Sequence, residues 1–258
     1  MAILVWDKVG DRTYQTGVDR GVLYLPDGAG VAWNGLTSVE ERFSQERKAY
    51  YLDGVKYLEH VLPGDFSAQL KAFTYPDEFD RVVGISDRSS GLSAHDQNLM
   101  SFGLSYRTLI GDDVAGTDRG YLLHLLYNLT AIPESNAYVS LNAQSKPVEF
   151  GWALSGVPVV ISGRRPTVHI SLDSTKMKRV LLSNIETILY GSSGAAPRLL
   201  SFSEILSLIG ITITDNGNGT WTVVGPDELI TMLDSTTFQI ENVDAVYLSA
   251  DTYAISST

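Results

Sequence analysis

The 258-residue sequence contains no cysteine. This removes disulfide frameworks, cysteine nucleophiles, thiolate zinc sites and iron–sulfur clusters together. Bases are scarce, with 19 Lys and Arg against 30 Asp and Glu and a formal charge of −11. Proteins that wrap DNA neutralise its phosphates with clustered cations, so this balance argues against binding DNA from outside. Long apolar runs are missing too. The longest, Tyr121-Leu122-Leu123-His124-Leu125-Leu126-Tyr127, is interrupted by a histidine and is far short of the ~20 residues that cross a bilayer. The opening Met1-Ala2-Ile3-Leu4-Val5-Trp6-Asp7 has no basic n-region and no small-x-small cleavage site, so it does not read as a signal peptide. The expectation is a soluble chain with no membrane partner.

Chemical motifs are equally sparse. His60, His95, His124 and His169 occur singly, without His-x-His or His-x-x-x-His spacing, so no local metal triad is written. His124, inside the apolar run, reads as a core histidine bonded to backbone. No Gly-x-Ser-x-Gly, Gly-x-x-x-x-Gly-Lys or helix-opening Gly-x-Gly-x-x-Gly occurs, which withdraws support from α/β-hydrolases and nucleotide enzymes. The adjacent acids Asp77-Glu78 and Asp112-Asp113 raise a glycosidase reading, but neighbours on a strand point to opposite faces, and acids beside Pro76 or Gly111 suit solvated turns. Asp215-Asn216-Gly217-Asn218-Gly219 places glycine where a calcium loop needs its second oxygen ligand, so a β-turn fits better. No catalytic residue, metal or cofactor is expected, and the chain reads as a non-enzyme.

What is present is β patterning. The composition, 44% apolar and 19% charged, is that of a globular protein, and a chain this long buries roughly 70–75% of its unfolded surface without staples. Period-2 alternation marks strands at 66–72, 100–108, 148–154 and 167–172, the last with Val168, Ile170 and Leu172 on one side. The run 121–127 reads as a central strand covered on both faces. With short segments near 2–6, 21–25 and 157–162, the first 172 residues resemble a sandwich or barrel. Tyr50-Tyr51-Leu52-Asp53-Gly54-Val55-Lys56-Tyr57-Leu58 reads as a hairpin on a type I′ Asp-Gly turn. Its tyrosines lie on both faces, so it either packs on the main sheets or on another chain.

Two helices follow. Residues 174–190 carry Met177, Val180, Leu181, Ile185, Ile188 and Leu189 at helical spacing, with Asp173 or Ser174 as cap and Gly191 as a left-handed end. Ser201 and Glu204 form a capping box for a shorter helix, stapled by Leu200 and Ile205 and ended by Gly210. Between them Gly191-Ser192-Ser193-Gly194-Ala195-Ala196-Pro197 reads as a linker. Beyond it, residues 196–258 hold one base against eight acids, a net charge of −7. Strands are expected near 211–214, 220–224, 236–241 and 245–255. The expected division is therefore a β-sandwich domain over 1–195, with helix 174–190 on its flank, and a small acidic C-terminal α+β or β domain over 196–258.

Several blocks resemble one family, the actinobacterial phage major tail or tail-tube proteins. These are Thr16-Gly17-Val18-Asp19-Arg20-Gly21-Val22-Leu23-Tyr24, Ala32-Trp33-Asn34-Gly35-Leu36, Tyr51-Leu52-Asp53-Gly54-Val55-Lys56-Tyr57, Thr74-Tyr75-Pro76-Asp77-Glu78-Phe79, Phe102-Gly103-Leu104-Ser105-Tyr106-Arg107, Asp173-Ser174-Thr175-Lys176, Asn216-Gly217-Asn218-Gly219-Thr220-Trp221 and Ala250-Asp251-Thr252-Tyr253. They run in order over nearly the whole chain. The resemblance implies a structural virion subunit with a β-sandwich and flanking helix, assembling with itself into stacked hexameric rings that conduct phage DNA without binding it. It also implies other tail proteins as partners, and a place in the virion tail after assembly in the host cytoplasm. No catalytic residue carries over. A distal-tail or baseplate component and a carbohydrate-binding module or glycosidase are the competing readings. Polar, glycine-rich residues 7–21 and the long segment 37–60 are expected to reach neighbouring subunits. Tyr50, Tyr51, Asp53, Gly54 and Tyr57 are the candidate contacts in the hairpin, and Arg164 and Arg165 are candidates for meeting acids of an adjacent ring.

Overall fold

The computed structural model describes residues 4–44, 47–61, 64–89, 91–95, 98–140, 146–160 and 166–209, together with six short strands after residue 211. The chain forms β1 (Tyr14–Tyr24), β2 (Gly30–Trp33), β3 (Leu36–Ser44), β4 (Arg47–Leu52), β5 (Val55–Val61), β6 (Asp65–Ala72), α1 (Phe79–Val82), β7 (Ser86–Ser89), β8 (Leu92–Ala94), β9 (Phe102–Asp112) and β10 (Gly116–Pro133). β11 (Phe150–Gly156), β12 (His169–Asp173), α2 (Arg179–Tyr190) and α3 (Phe202–Ile209) follow. The strands after residue 211 make three separate two-stranded units. They are β13 (Thr212–Asp215) with β14 (Trp221–Val224), β15 (Ile230–Met232) with β16 (Phe238–Ile240), and β17 (Asp244–Ser249) with β18 (Thr252–Ser256). The single strand expected over 245–255 is thus a hairpin.

The main sheet is antiparallel in the order β2-β1-β9-β10-β11-β6-β3, with β12 also paired to β10. β10 is its axis. The first part of β10 pairs with β12 (Leu122↔Asp173 to Leu126↔His169) and its end pairs with β11 (Leu129↔Gly156 to Pro133↔Trp152). The change of partner falls at Asn128, whose φ of 47° interrupts the register between Leu126 and Leu129. This is a bulge, the device that bends a strand and redirects its pairing.

Both faces of the central strands are covered, as the run 121–127 predicts. Alternation sends Leu23, Leu104, Leu126, Leu129, Trp152 and Leu154 into an inner core, where Phe79 lies 4.5 Å from Trp33 and 5.3 Å from Trp152 between ring centroids. Their neighbours Val22, Tyr24, Leu123, Leu125 and Tyr127 form an outer layer against Leu182, Ile185 and Leu189 of α2 and Leu200 and Ile205. The sheet curls until β3 lies across β1. A Cβ added to Gly21 would sit 2.3 Å from Leu36 Cδ1, so glycine there permits the closing approach. The mainly β fold with a flanking amphipathic helix is as expected.

Several local expectations are corrected. Residues 4–6 form no strand. The polar stretch 7–21 contributes more than half of β1, paired with β9 from Tyr14↔Gly111 onward. Its first residues stay exposed while Gly21–Tyr24 are buried, and main-chain pairing asks nothing of side-chain polarity. Residues 37–44, the first part of segment 37–60, belong to β3 of the main sheet and are not a free connection. α2 starts at Arg179 rather than 174, because the Asp173 carboxylate accepts from the Thr175 amide at 2.9 Å and its hydroxyl at 2.6 Å. Such local side-chain bonding competes with helix. Gly191 ends α2 at φ 82° and ψ 170°, outside the left-handed helical well. Val168 joins the inner core while Ile170 and Leu172 face the outer layer.

The capping box of α3 forms as read, with the Ser201 amide donating to Glu204 at 2.8 Å and the Glu204 amide to Ser201 Oγ at 3.3 Å. Arg198 bonds the same carboxylate at 2.8 Å. Foremost through Arg198, and through Ser201, it holds the Glu204 carboxyl down at about 2. The division at 195/196 remains a proposal, and α3 bears on it directly. Leu200 and Ile205 are buried with α2, and Tyr127 Oη donates to Leu200 O at 2.8 Å. A chain ending at Ile209 should therefore unfold at higher urea than one ending at Gly194, by about 2–5 kcal/mol for each large aliphatic side chain restored. Equal midpoints would place α3 outside the fold's cooperative unit.

Candidate assembly interface

β4 and β5 form a hairpin paired only with itself among the described residues. It prolongs the β3–β6 pair, since Ser44↔Asp65 is followed by Arg47↔Val61. The Asp53-Gly54 turn has φ of 50° and 78°, the two positive values that a type I′ turn requires and that glycine takes without strain. The arm's pairing thus follows on from that of the β3–β6 pair, and among the described residues it pairs with no other strand. Tyr50, Tyr51 and Tyr57 are 54%, 67% and 76% exposed, and Leu52, Val55 and Leu58 are also open. Its charges are mostly self-paired. Lys56 bonds Glu59, which also lies 3.9 Å from Arg47. The Lys56 ammonium, ahead of Arg47, draws the Glu59 carboxyl below its usual range.

Of the candidate contacts, the structure gathers Tyr50, Tyr51, Asp53, Gly54 and Tyr57 on this one arm. Arg164 and Arg165 lie outside the described residues. The acid pairs do not converge. Asp112 accepts from the Val114 and Ala115 amides at 2.8 and 2.5 Å and from Arg119 at 2.7 Å. These bonds, the Ala115 amide first, lower its pKa. Asp113 instead accepts from the Gly10 amide at 2.8 Å, pinning the N-terminal turn to the β9–β10 tip.

A polar seam unread in the sequence lies at the root of the arm. Glu41 of β3 accepts a hydrogen bond from the Tyr106 hydroxyl of β9 and lies 3.4 Å from His169 Nδ1 of β12. His169 Nε2 meets His124 Nδ1 of β10 at 3.0 Å, and His124 Nε2 meets Thr108 Oγ1 at 3.0 Å. Tyr106 stacks on His124 with centroids 4.7 Å apart, and Phe43 stacks on His169 at 6.0 Å. Burial depresses both imidazoles, His124 to about 4 with His169 adding to the effect, while Glu41 partly opposes the shift at His169. Burial foremost, then the Glu41 bond, raises the Tyr106 phenol. His124 is thus a core histidine, as read, but its partners are side chains rather than backbone.

Donor atoms of Glu41, His124 and His169 lie within 4.8 Å of one another. The two imidazoles are nevertheless 18° from coplanar, with centroids 5.2 Å apart for an N···N distance of 3.0 Å. The nitrogens therefore point head-on. An ion between them would sit about 1.5 Å from each, against about 2.0–2.1 Å for a zinc–imidazole bond, so this contact is a shared proton.

No protein-family model and no curated protein sequence matches the chain. Among solved structures, a chain of the PVC sheath-tube complex, an extracellular contractile injection system in its extended state, is similar over 60% of this chain and 88% of that one. Its identity is 15% and its TM-score 0.34. A chain of the anti-feeding prophage cap (AFP tube terminating cap) is similar over 67% and 97%, with 12% identity and a TM-score of 0.35. One from the anti-feeding prophage baseplate is similar over 67% and 100%, with 11% identity and a TM-score of 0.32. At identities this low, function is argued from this chain's own residues.

The arm and the seam differ in what they do for folding. Replacing Tyr51 and Tyr57 by Ser should leave the urea midpoint of the dissociated chain within about 0.5 kcal/mol for each exposed site. Tyr106→Phe, which strips Glu41 of its buried donor, should cost about 1–3 kcal/mol. The reverse order would mean that the arm packs on its own domain.

Proposed function

We propose that the chain is a structural virion protein, a subunit of a phage tail tube that assembles with itself into stacked hexameric rings around passing DNA. The observation that carries the reading is the arm, a hairpin with apolar side chains on both faces that are exposed among the described residues. A lone hairpin is marginal in water. Burying Leu52, Val55 and Leu58 against a neighbour would contribute about 1.5–3 kcal/mol each when complete. Tyr50, Tyr51 and Tyr57 add the aromatic area and hydroxyls typical of protein interfaces. The resembling blocks support the same reading, because those lying wholly on described residues fall on β1, the β2–β3 turn, the arm, the approach to α1, β9 and the turn before α2, which are scaffold and not one cleft. Arg164 and Arg165 stay in the proposal as contacts to acids of an adjacent ring, and other tail proteins as partners at the ends of the tube. The net charge of −11 suits a conduit through which a polyanion must slide, since each Lys or Arg contact to phosphate adds a salt-dependent hold.

Glu41 and Phe43 belong to the sheet and its seam, so the arm is best removed at 47–61. A chain with 47–61 replaced by a short glycine turn should keep its far-ultraviolet circular dichroism and sediment as a monomer where the intact chain forms large species. Unchanged assembly would overturn the arm's role. In mobility-shift assays near physiological salt, the intact chain should show no measurable affinity for duplex DNA. Micromolar binding that weakens steeply with salt would contradict the conduit reading.

A further inference from the structure

The seam admits one self-consistent placement of protons when both imidazoles are neutral. The Thr108 hydroxyl donates to His124 Nε2, His124 Nδ1–H donates to His169 Nε2, and His169 Nδ1–H faces Glu41 Oε2, while the Tyr106 hydroxyl donates to Glu41 Oε1. The opposite tautomers would turn a His169 lone pair on the Glu41 carboxylate, so the acid sets the direction of the chain.

One further proton can be accommodated without breaking a contact. If it enters on His169 Nε2, that ring becomes a cation paired with Glu41, and the hydrogen bond to His124 reverses. His124 then accepts at Nδ1 and carries its own proton on Nε2, donating to the Thr108 oxygen, which can accept as well as donate. A second proton has no such place. On His124 it would set Nδ1–H against His169 Nε2–H across 3.0 Å, two cations head-on in a buried site, and on Glu41 it would remove the counter-charge of the His169 imidazolium. The ionisable groups that face this pair among the described residues are Glu41 from β3 and Tyr106 from β9. Phe43 and the Phe66 ring of β6 wall it. Only one of these groups carries negative charge, enough to balance one imidazolium and not two.

We propose that Glu41, His169, His124 and Thr108 form a proton-counting catch at the root of the arm, which holds β3 to β9, β10 and β12 through one added proton and opens on the second. The catch is a property of the folded chain and stands apart from the tail-tube reading. Its sign follows from linkage. The opened chain takes up protons at the ordinary histidine value while the folded seam resists the second, so protection is full above about pH 6.5 and is lost progressively from there down to about 4, where His124 titrates.

Hydrogen exchange followed by mass spectrometry on the full chain, corrected for intrinsic exchange rates, tests it. Peptides covering β3 and β12 should be fully protected at pH 7, begin to lose protection as the pH falls below about 6.5, and exchange at least tenfold faster at pH 4, while the β1–β9 pair stays protected. His124→Gln keeps a donor and an acceptor without a titrating ring, and should remove the acid step. Glu41→Gln removes the counter-charge, so the first proton should already open the catch and the step should move to higher pH. The second variant keeps the test decisive if the first does not fold. Loss of protection in all strands together, unchanged protection of β3 and β12 in the parent chain down to pH 4, or a Glu41→Gln loss at unchanged pH would each overturn the proposal.

Discussion

Everything else in the fold depends on β10 being buried on both faces. An 18-residue strand that packs Leu126 and Leu129 inward and Leu123, Leu125 and Tyr127 outward must have a core beneath it and a cover above. α2 and α3 supply the cover, and the curled sheet supplies the core. The strand is also too long for one partner on each edge. Its bulge at Asn128 hands the chain from β12 to β11, and that bend turns β11, β6 and β3 back across the first strands. The approach of Leu36 to Gly21 and the bond from Tyr106 to Glu41 both follow from that curl.

The same curl positions the parts proposed to be functional. The β4–β5 arm follows β3 and precedes β6 in the chain, and among the described residues its strands pair only with each other. The seam sits where the leaf of β3 and β6 crosses β9, β10 and β12. Fully bonded side chains at such a crossing specify one arrangement of the strands, because a register slip would leave buried polar atoms unpaired. The outer layer has a comparable tie. The Arg107 guanidinium bonds Asp19 in a fork at 2.9 and 2.7 Å and lies 4.3 Å over the Tyr121 ring, whose hydroxyl donates to Glu186 of α2 at 2.8 Å. The bulged end of β1 is thereby fastened to the covering helix.

The legible features were those governed by local chemistry. The Asp53-Gly54 turn, the Ser201–Glu204 capping box and the double-sided burial of 121–127 each depend on neighbours within a few residues, and each is present. The start of α2 was misplaced because Asp173 bonds Thr175, and α1, at four residues, is too short to show a helical period. The seam was illegible for a different reason. His124 and His169 are 45 residues apart, and Glu41 is 65 from Tyr106. Their meeting is decided by the register of β10 with β12 and by the curl of the sheet, and no motif in the sequence records either. In the sequence His169 falls opposite Val168, Ile170 and Leu172, and its meeting with His124 acquires meaning only once the strands are known to be neighbours.

Among the described residues both faces of the sheet are occupied and the apolar arm is open, and in the proposed reading another molecule covers it. The proposed molecule is a second copy. Negative-stain electron microscopy of the purified intact chain addresses this most directly. The account predicts six-membered rings, alone or stacked into tubes of constant width, and a field of uniform monomers at concentrations well above those used for sedimentation would contradict it.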